Sequence, residues 1–208
     1  MIFDHVFPNS DIISLISARL IQLSTNDSIL LLHPSAEIGM PTNSCGLFSS
    51  VEIFNQLQIE PLPNSLNISS SSLRSEWFEK HLAIVLANNG AKISTRAKFI
   101  QTSSNTGEIR GSTSLNGEIS FNFLHNISIP ESNSHQWYCY IHSDSPPPEI
   151  SIFSRRDDAS FESWSLTPIT IPNVFEKKIG IGTTNSPNTI DMNLEIAKNY
   201  LDSSLGLN

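Results

Sequence analysis

Residues 2–33 constrain the fold more than any other part of the chain. Ile2 to Phe7 is a short apolar run, and Asp11 to Leu23 places Ile12, Leu15, Ile16, Leu20 and Leu23 at helical spacing. Ser28 to His33 is then apolar at almost every position and is stopped by Pro34. A strand without alternation suits a parallel sheet covered on both faces. The reading is a β-α-β unit, with Asn9 or Ser10 as the helix cap and Ser24 to Asp27 as the return turn.

The rest of the chain follows in recognisable pieces. Residues 38–73 are rich in Pro, Asn and Ser, a loop-dominated excursion with one short helix at Val51 to Leu57. Glu76 to Asn89 carries Phe78, Leu82, Val85 and Leu86 on one face, and Gly90 supplies a left-handed stop. Three strand-like runs, Ala91 to Thr102, Gly107 to Ser114 and Glu118 to Leu124, are separated by turn residues and predict an antiparallel meander. Trp137 to Ile141 is a further strand, broken by Pro146 to Pro148. Ile150 to Phe153, Ser163 to Ile171 and Lys177 to Gly182 then suggest a second sheet. The chain ends on an amphipathic helix, Asp191 to Ser204, with Leu194, Ala197, Leu201 and Leu205 at spacings of three and four. The expected class is α/β: a Rossmann-like β-α-β remnant, a three-stranded antiparallel meander, a partial second antiparallel sheet and a C-terminal helix. The expected division is 1–145 and 146–208.

Composition removes several function classes. With 12 basic against 20 acidic residues the net charge is −8, and no basic cluster exceeds a pair, so a nucleic-acid groove is excluded. Cys45 and Cys139 form no CxxC pair, which argues against a disulfide framework or structural zinc and for a reducing compartment. No apolar run approaches the roughly 20 residues needed to span a bilayer. The expected location is the cytoplasm, at most peripheral to a membrane.

Read in order, four segments resemble the FAD-dependent oxidoreductases of the geranylgeranyl reductase family, within the class that includes aromatic hydroxylases. They are Asp4 to Leu32 with Ala18-Arg19 in the helix; Glu37-Ile38-Gly39-Met40-Pro41 followed by Ser44-Cys45-Gly46; Phe78-Glu79-Lys80-His81-Leu82 with Asn89-Gly90-Ala91; and Ile179-Gly180-Ile181-Gly182-Thr183 with Leu194 to Leu201. The resemblance implies FAD as cofactor, reduction of a double bond in an isoprenoid or lipid, and a position for Cys45 near the reacting centre.

The departures fall on the residues that would hold the flavin. The three fingerprint glycines, which let the backbone approach the pyrophosphate at a helix N-terminus, align with Asn9, Asp11 and Ser14. Where the family's acidic residue would accept from the ribose stands His33. Ser75 replaces an arginine, with Arg74 displaced by one, and Asp144 matches the family's D-G element without its glycine. The later G-D-A motif has no counterpart before Asn208. No bound cofactor is therefore expected, and FAD is the alternative.

Other chemistry reads as structural. His135 and Cys139 lie roughly 13 Å apart at strand rise, with His142 on the opposite face, so no metal site is expected. No G-x-S-x-G elbow is present. Arg155-Arg156 and Asp157-Asp158 read as a solvated charged turn, and Trp137, Tyr138, Tyr140, Phe161 and Trp164 as strand core or the lining of a lipid pocket. The sequence points to a non-catalytic, flavin-free binding or assembly subunit with a protein partner or a second copy of itself. The alternatives are an FAD-dependent reductase with its cofactor held atypically or shared across an interface, and a lipid or small-ligand carrier.

Overall fold

In the computed structural model β1 (Ile2–Phe7) and β2 (Ile29–His33) pair in parallel, with Val6 opposite Leu30, and α1 (Ile12–Ser24) connects them. The structure describes residues 1–40, 42–60, 71–111, 115–127, 129 and 134–206. The part of the 38–73 excursion at 61–70 lies outside the described residues, as does 112–114 of the second meander run. The remaining elements are α2 (Glu52–Gln56), α3 (Ser75–Asn88), β3 (Lys92–Thr95), β4 (Lys98–Gln101), β5 (Thr106–Arg110), β6 (Gly117–Leu124), β7 (His135–His142), β8 (Ile152–Arg155), β9 (Phe161–Ser165), β10 (Val174–Gly182) and α4 (Ile190–Leu205).

Two compact units result, and they do not follow the expected boundary at 145. One comprises the described residues within Met1–Met40, Glu79–Ser128 and Leu194–Asn208, the other those within Pro41–Phe78 and Ile129–Asn193. The chain leaves and re-enters each unit, which a cut based on a proline break cannot register.

The first unit holds a six-stranded sheet in the order β3-β2-β1-β6-β5-β4. β3 is parallel to β2 and β6 is parallel to β1, while β4, β5 and β6 form the antiparallel meander. The run Ala91 to Thr102 is therefore two strands, not one. It breaks at Arg96, which sits at φ 54° while its N–H donates to Ser35 O and that of Ala97 donates to His33 O. Before the break the chain extends the parallel sheet; after it, the chain starts the meander. Asp4 and His5 both donate their N–H to Ser28 O, a bulge-like irregularity that brings Phe3 and Val6, three apart, into one core. Leu30, Leu32, Ile109, Ile119 and Phe121 join them. Each such buried side chain contributes about 1.5–3 kcal/mol.

The second unit holds an antiparallel sheet in the order β10-β7-β9-β8. β7, read from the sequence as the end of the first domain, is a central strand here. Trp137, Cys139, Ile141 and Trp164 pack with Cys45 and Leu47, and Tyr140 packs with Ile150 and Ile171. Strand alternation produces this division of neighbours between two clusters. Among the described residues no helix is long and apolar enough to cross a membrane.

Candidate functional site

The turn between β1 and α1 decides what the parallel sheet can hold. Neither Asn9 nor Ser10 caps the helix. Asp11 does, with an extended backbone (φ −73°, ψ 173°) and a carboxylate Oδ1 that accepts from Ser14 N–H at 2.8 Å. This cap is worth about 1 kcal/mol, and a negative charge at a helix N-terminus adds about 0.3–1 kcal/mol. Ser10, buried at the same turn, places its Oγ 2.9 Å from His33 Nδ1 and so links the ends of β1 and β2. Burial pushes the His33 imidazole below its ordinary value, against the Glu37 backbone and the Asp11 charge, which favour the cation.

These residues do not fit an FAD diphosphate. The N–H group that would meet a phosphate already has a carboxylate bound to it. A like-charge contact near 4 Å costs about 1 kcal/mol in water and about 4 near a protein surface. His33, with Nδ1 engaged by Ser10, also offers no carboxylate to a ribose.

A cleft of about 730 Å³ opens beside this turn, lined by residues that include Pro8, Asn9, Pro34, Arg96, Lys98 and Arg110. Its shape depends on the Arg96 break, because Gly111 sits at φ 86° and a Cβ there would meet Arg96 O at 2.5 Å. Arg110 is held by Glu108 at 2.7 Å, which draws the Glu108 carboxyl below its ordinary range. Three of the chain's 12 basic residues thus converge on one cleft of a protein with net charge −8. The chemistry on offer is attraction of an anion, beside the partly buried ring of Phe99.

The other candidates lie in the second unit and are engaged. Cys45 is 2% exposed, and burial, with Glu162 nearby, pushes its thiol well up, so it is no ready nucleophile. Cys139 is buried likewise. Arg74 pairs with Glu76 at 2.7 Å and lies over the Trp77 ring at 5.1 Å. Asp144 accepts from Asn173 Nδ2 at 2.6 Å. Trp137 donates to Thr183 O, Trp164 to Glu162, and Tyr140 Oη accepts from Ile169 N–H. These three aromatics are packed core. His142 donates to or accepts from Ser163 Oγ at 2.9 Å, both wholly buried. Among the described residues no three His, Cys, Asp or Glu side chains come together as a metal site.

Arg156 corrects the expectation of a solvated turn, because only Arg155 and the two aspartates that follow are exposed. Arg156 is 3% exposed and binds Glu162 through Nε (3.0 Å) and Nη2 (2.8 Å). Glu162 also accepts from Gly46 N–H, Ser72 Oγ and Trp164 Nε1. The signal in the sequence was a glutamate between Phe161 and Trp164, an acid placed inside an apolar strand.

No family of sequences matches the chain, and no curated protein does. Solved structures do. Over 99% of its length the chain matches a geranylgeranyl bacteriochlorophyll reductase-like protein from Thermoplasma acidophilum, at 12% identity and a TM-score of 0.60 over 63% of that protein. The fold is that of the FAD-dependent oxidoreductases. A p-nitrophenol 4-monooxygenase from Pseudomonas putida matches 78% of the chain at 7% identity and TM-score 0.56, over 57% of its own length. A myxobacterial FAD-dependent chondrochloren halogenase matches 88% at 10% identity and TM-score 0.53, over 53% of its own length. The chain spans less than two thirds of each.

Proposed function

We propose that this chain is a flavin-free, non-catalytic binding protein built on the oxidoreductase fold, and that its cleft takes a small anionic ligand. The observation that carries this reading is the Asp11 carboxylate bound to Ser14 N–H, which fills the helix N-terminus with the protein's own negative charge. Arg96 and Lys98 remain at the cleft and supply the attraction for the ligand. An assembly role rests on β10, an edge strand whose Phe175 and Ile179 are 64% and 50% exposed. A partner chain adding to that edge would cover them.

The fold favours one competing reading, an FAD-dependent oxidoreductase with its cofactor shared across an interface, because the matched halogenase is FAD-dependent. One titration separates the two. Purified protein is scanned for flavin absorption between about 350 and 500 nm, then heated with FAD, AMP or inorganic phosphate, since any bound ligand raises stability. The expected result is no flavin band, no shift with FAD, and saturable stabilisation by AMP or phosphate that Arg96→Ala and Lys98→Ala abolish. Saturable stabilisation by FAD would restore the oxidoreductase reading. No stabilisation by any of the three would remove the anion-binding reading.

A further inference from the structure

Four side chains of the first unit, none used by the cleft, stand in one unbroken line of hydrogen bonds. Asp27 Oδ2 lies 3.1 Å from His5 Nε2, His5 Nδ1 lies 2.9 Å from His125 Nε2, and His125 Nδ1 lies 3.0 Å from Tyr200 Oη. His5 and His125 are 2% and 3% exposed, whereas the Asp27 side chain is 44% exposed. The line therefore begins at solvent, crosses two buried rings and ends on α4. Phe123 stacks on His5 and Phe7 on His125, with centroids 5.1 and 4.4 Å apart, so neither imidazole is free to swing out.

Hydrogen-bond logic fixes every proton in the line. An ionised Asp27 only accepts, so His5 presents Nε2–H to it and leaves a lone pair at Nδ1. His125 must then donate from Nε2, which leaves its Nδ1 as acceptor for the Tyr200 hydroxyl. One added proton at His5 Nδ1 changes this without breaking a contact. His125 gives up its Nε2 proton site, accepts from His5 there, and carries its single hydrogen at Nδ1, pointing at Tyr200 Oη. The tyrosine turns from donor to acceptor, and the charge rests beside Asp27. A second proton has no such solution, because N–H would face N–H at 2.9 Å.

We propose that Asp27, His5, His125 and Tyr200 form a proton-responsive relay, in which a first proton reverses the hydrogen bond to Tyr200 and a second breaks the contact between His5 and His125. The charged groups facing the pair agree with two separate steps. Asp4 from β1, held ionised by Ser28, and Asp27 from the turn before β2 place two carboxylates on the His5 side of the pair. β6 contributes the apolar Phe123 and α4 the Tyr200 hydroxyl, whose own titration burial pushes above its ordinary value. Burial, together with the charge of His5, pushes His125 down to about 4, which separates the second step from the first.

Imidazole ¹⁵N shifts recorded against pH test the relay in the whole chain. The expected course is a neutral His125 that moves from the Nε2–H to the Nδ1–H form as His5 takes its proton, and becomes charged only at lower pH. A His125 that keeps its Nε2–H form throughout, or charges together with His5, overturns the proposal. Asp27→Asn replaces an acceptor-only carboxylate by an amide that can also donate, and should let the Nδ1–H form of His5 appear in the neutral protein; a His5 that stays wholly in the Nε2–H form overturns the role of Asp27. Tyr200→Phe leaves the Nδ1–H form of His125 without an acceptor and should displace the tautomer change to lower pH; a change at the same pH as in the unaltered chain overturns the role of Tyr200.

Discussion

Asp11 and Glu162 are both carboxylates that spend their lone pairs on the protein's own donors, yet they hold very different amounts of structure. Asp11 is exposed and accepts from the backbone of Ser14. Glu162 is 1% exposed and accepts from Gly46, Ser72, Trp164 and both Nε and Nη2 of Arg156. Removing Asp11 frees a backbone donor that water can reach. Removing Glu162 leaves a buried guanidinium, an indole N–H and a backbone N–H with no acceptor. The comparison teaches that the turn of the oxidoreductase fold can change its chemistry at small cost, whereas the centre of the second sheet cannot.

The largest effect expected is from Glu162→Ala, which should lose about 3–5 kcal/mol in urea unfolding because it strands a buried charge. A loss below about 1 kcal/mol would erase the contrast with Asp11. Acid comes next. His125 is held at about 4 against an ordinary 6.5, so the neutral form is favoured by folding. Its stabilisation is complete above 6.5 and lost as pH falls towards about 4, on the order of 3 kcal/mol in all at about 1.4 per unit. Burial raises Glu76, but Lys178 and Arg74 outweigh it and hold the carboxyl at about 2, so its own contribution is lost only below 4.5. Stability measured by urea unfolding at stepped pH should therefore fall in two stages. Asp11→Ala should cost about 1 kcal/mol as a lost cap, and Asp11→Asn, an equal cap, a few tenths. The asparagine variant also removes the repelling charge and sharpens the test with FAD. Smallest of all is Arg155→Ala, which should stay within about 0.5 kcal/mol, while Arg156→Ala one residue on should match Glu162→Ala.

Much of the architecture was legible because it rests on local periodicity. The apolar run ending at His33, the stripe of Phe78, Leu82 and Leu86 and the stop at Gly90 all reappear, Gly90 at φ 97°. The missing glycines at Asn9, Asp11 and Ser14 were equally plain, since a fingerprint is a matter of residue identity. What was not legible depended on partners distant in sequence. The strand break at Arg96 is set by acceptors at Ser35 and His33, some 60 residues earlier, and by the close approach of Gly111. The burial of Arg156 beside exposed Arg155 is set by Glu162. His5 and His125 lie 120 positions apart and meet only because β1 pairs with β6.

The sequence by itself determined the β-α-β unit, the order of strands and helices along the chain, and the loss of the phosphate-binding glycines, because apolar spacing and the absence of a side chain act within a few residues. Only the tertiary structure decided that Asp11 caps α1, that Ser10 and His33 tie the ends of β1 and β2 together, that Arg96, Lys98 and Arg110 share one cleft, and that four residues form a line from Asp27 to Tyr200. Those are matters of distance between groups brought together by strand pairing and helix packing, and hydrogen bonds and ion pairs are decided at about 3 Å, a scale on which sequence separation carries no information.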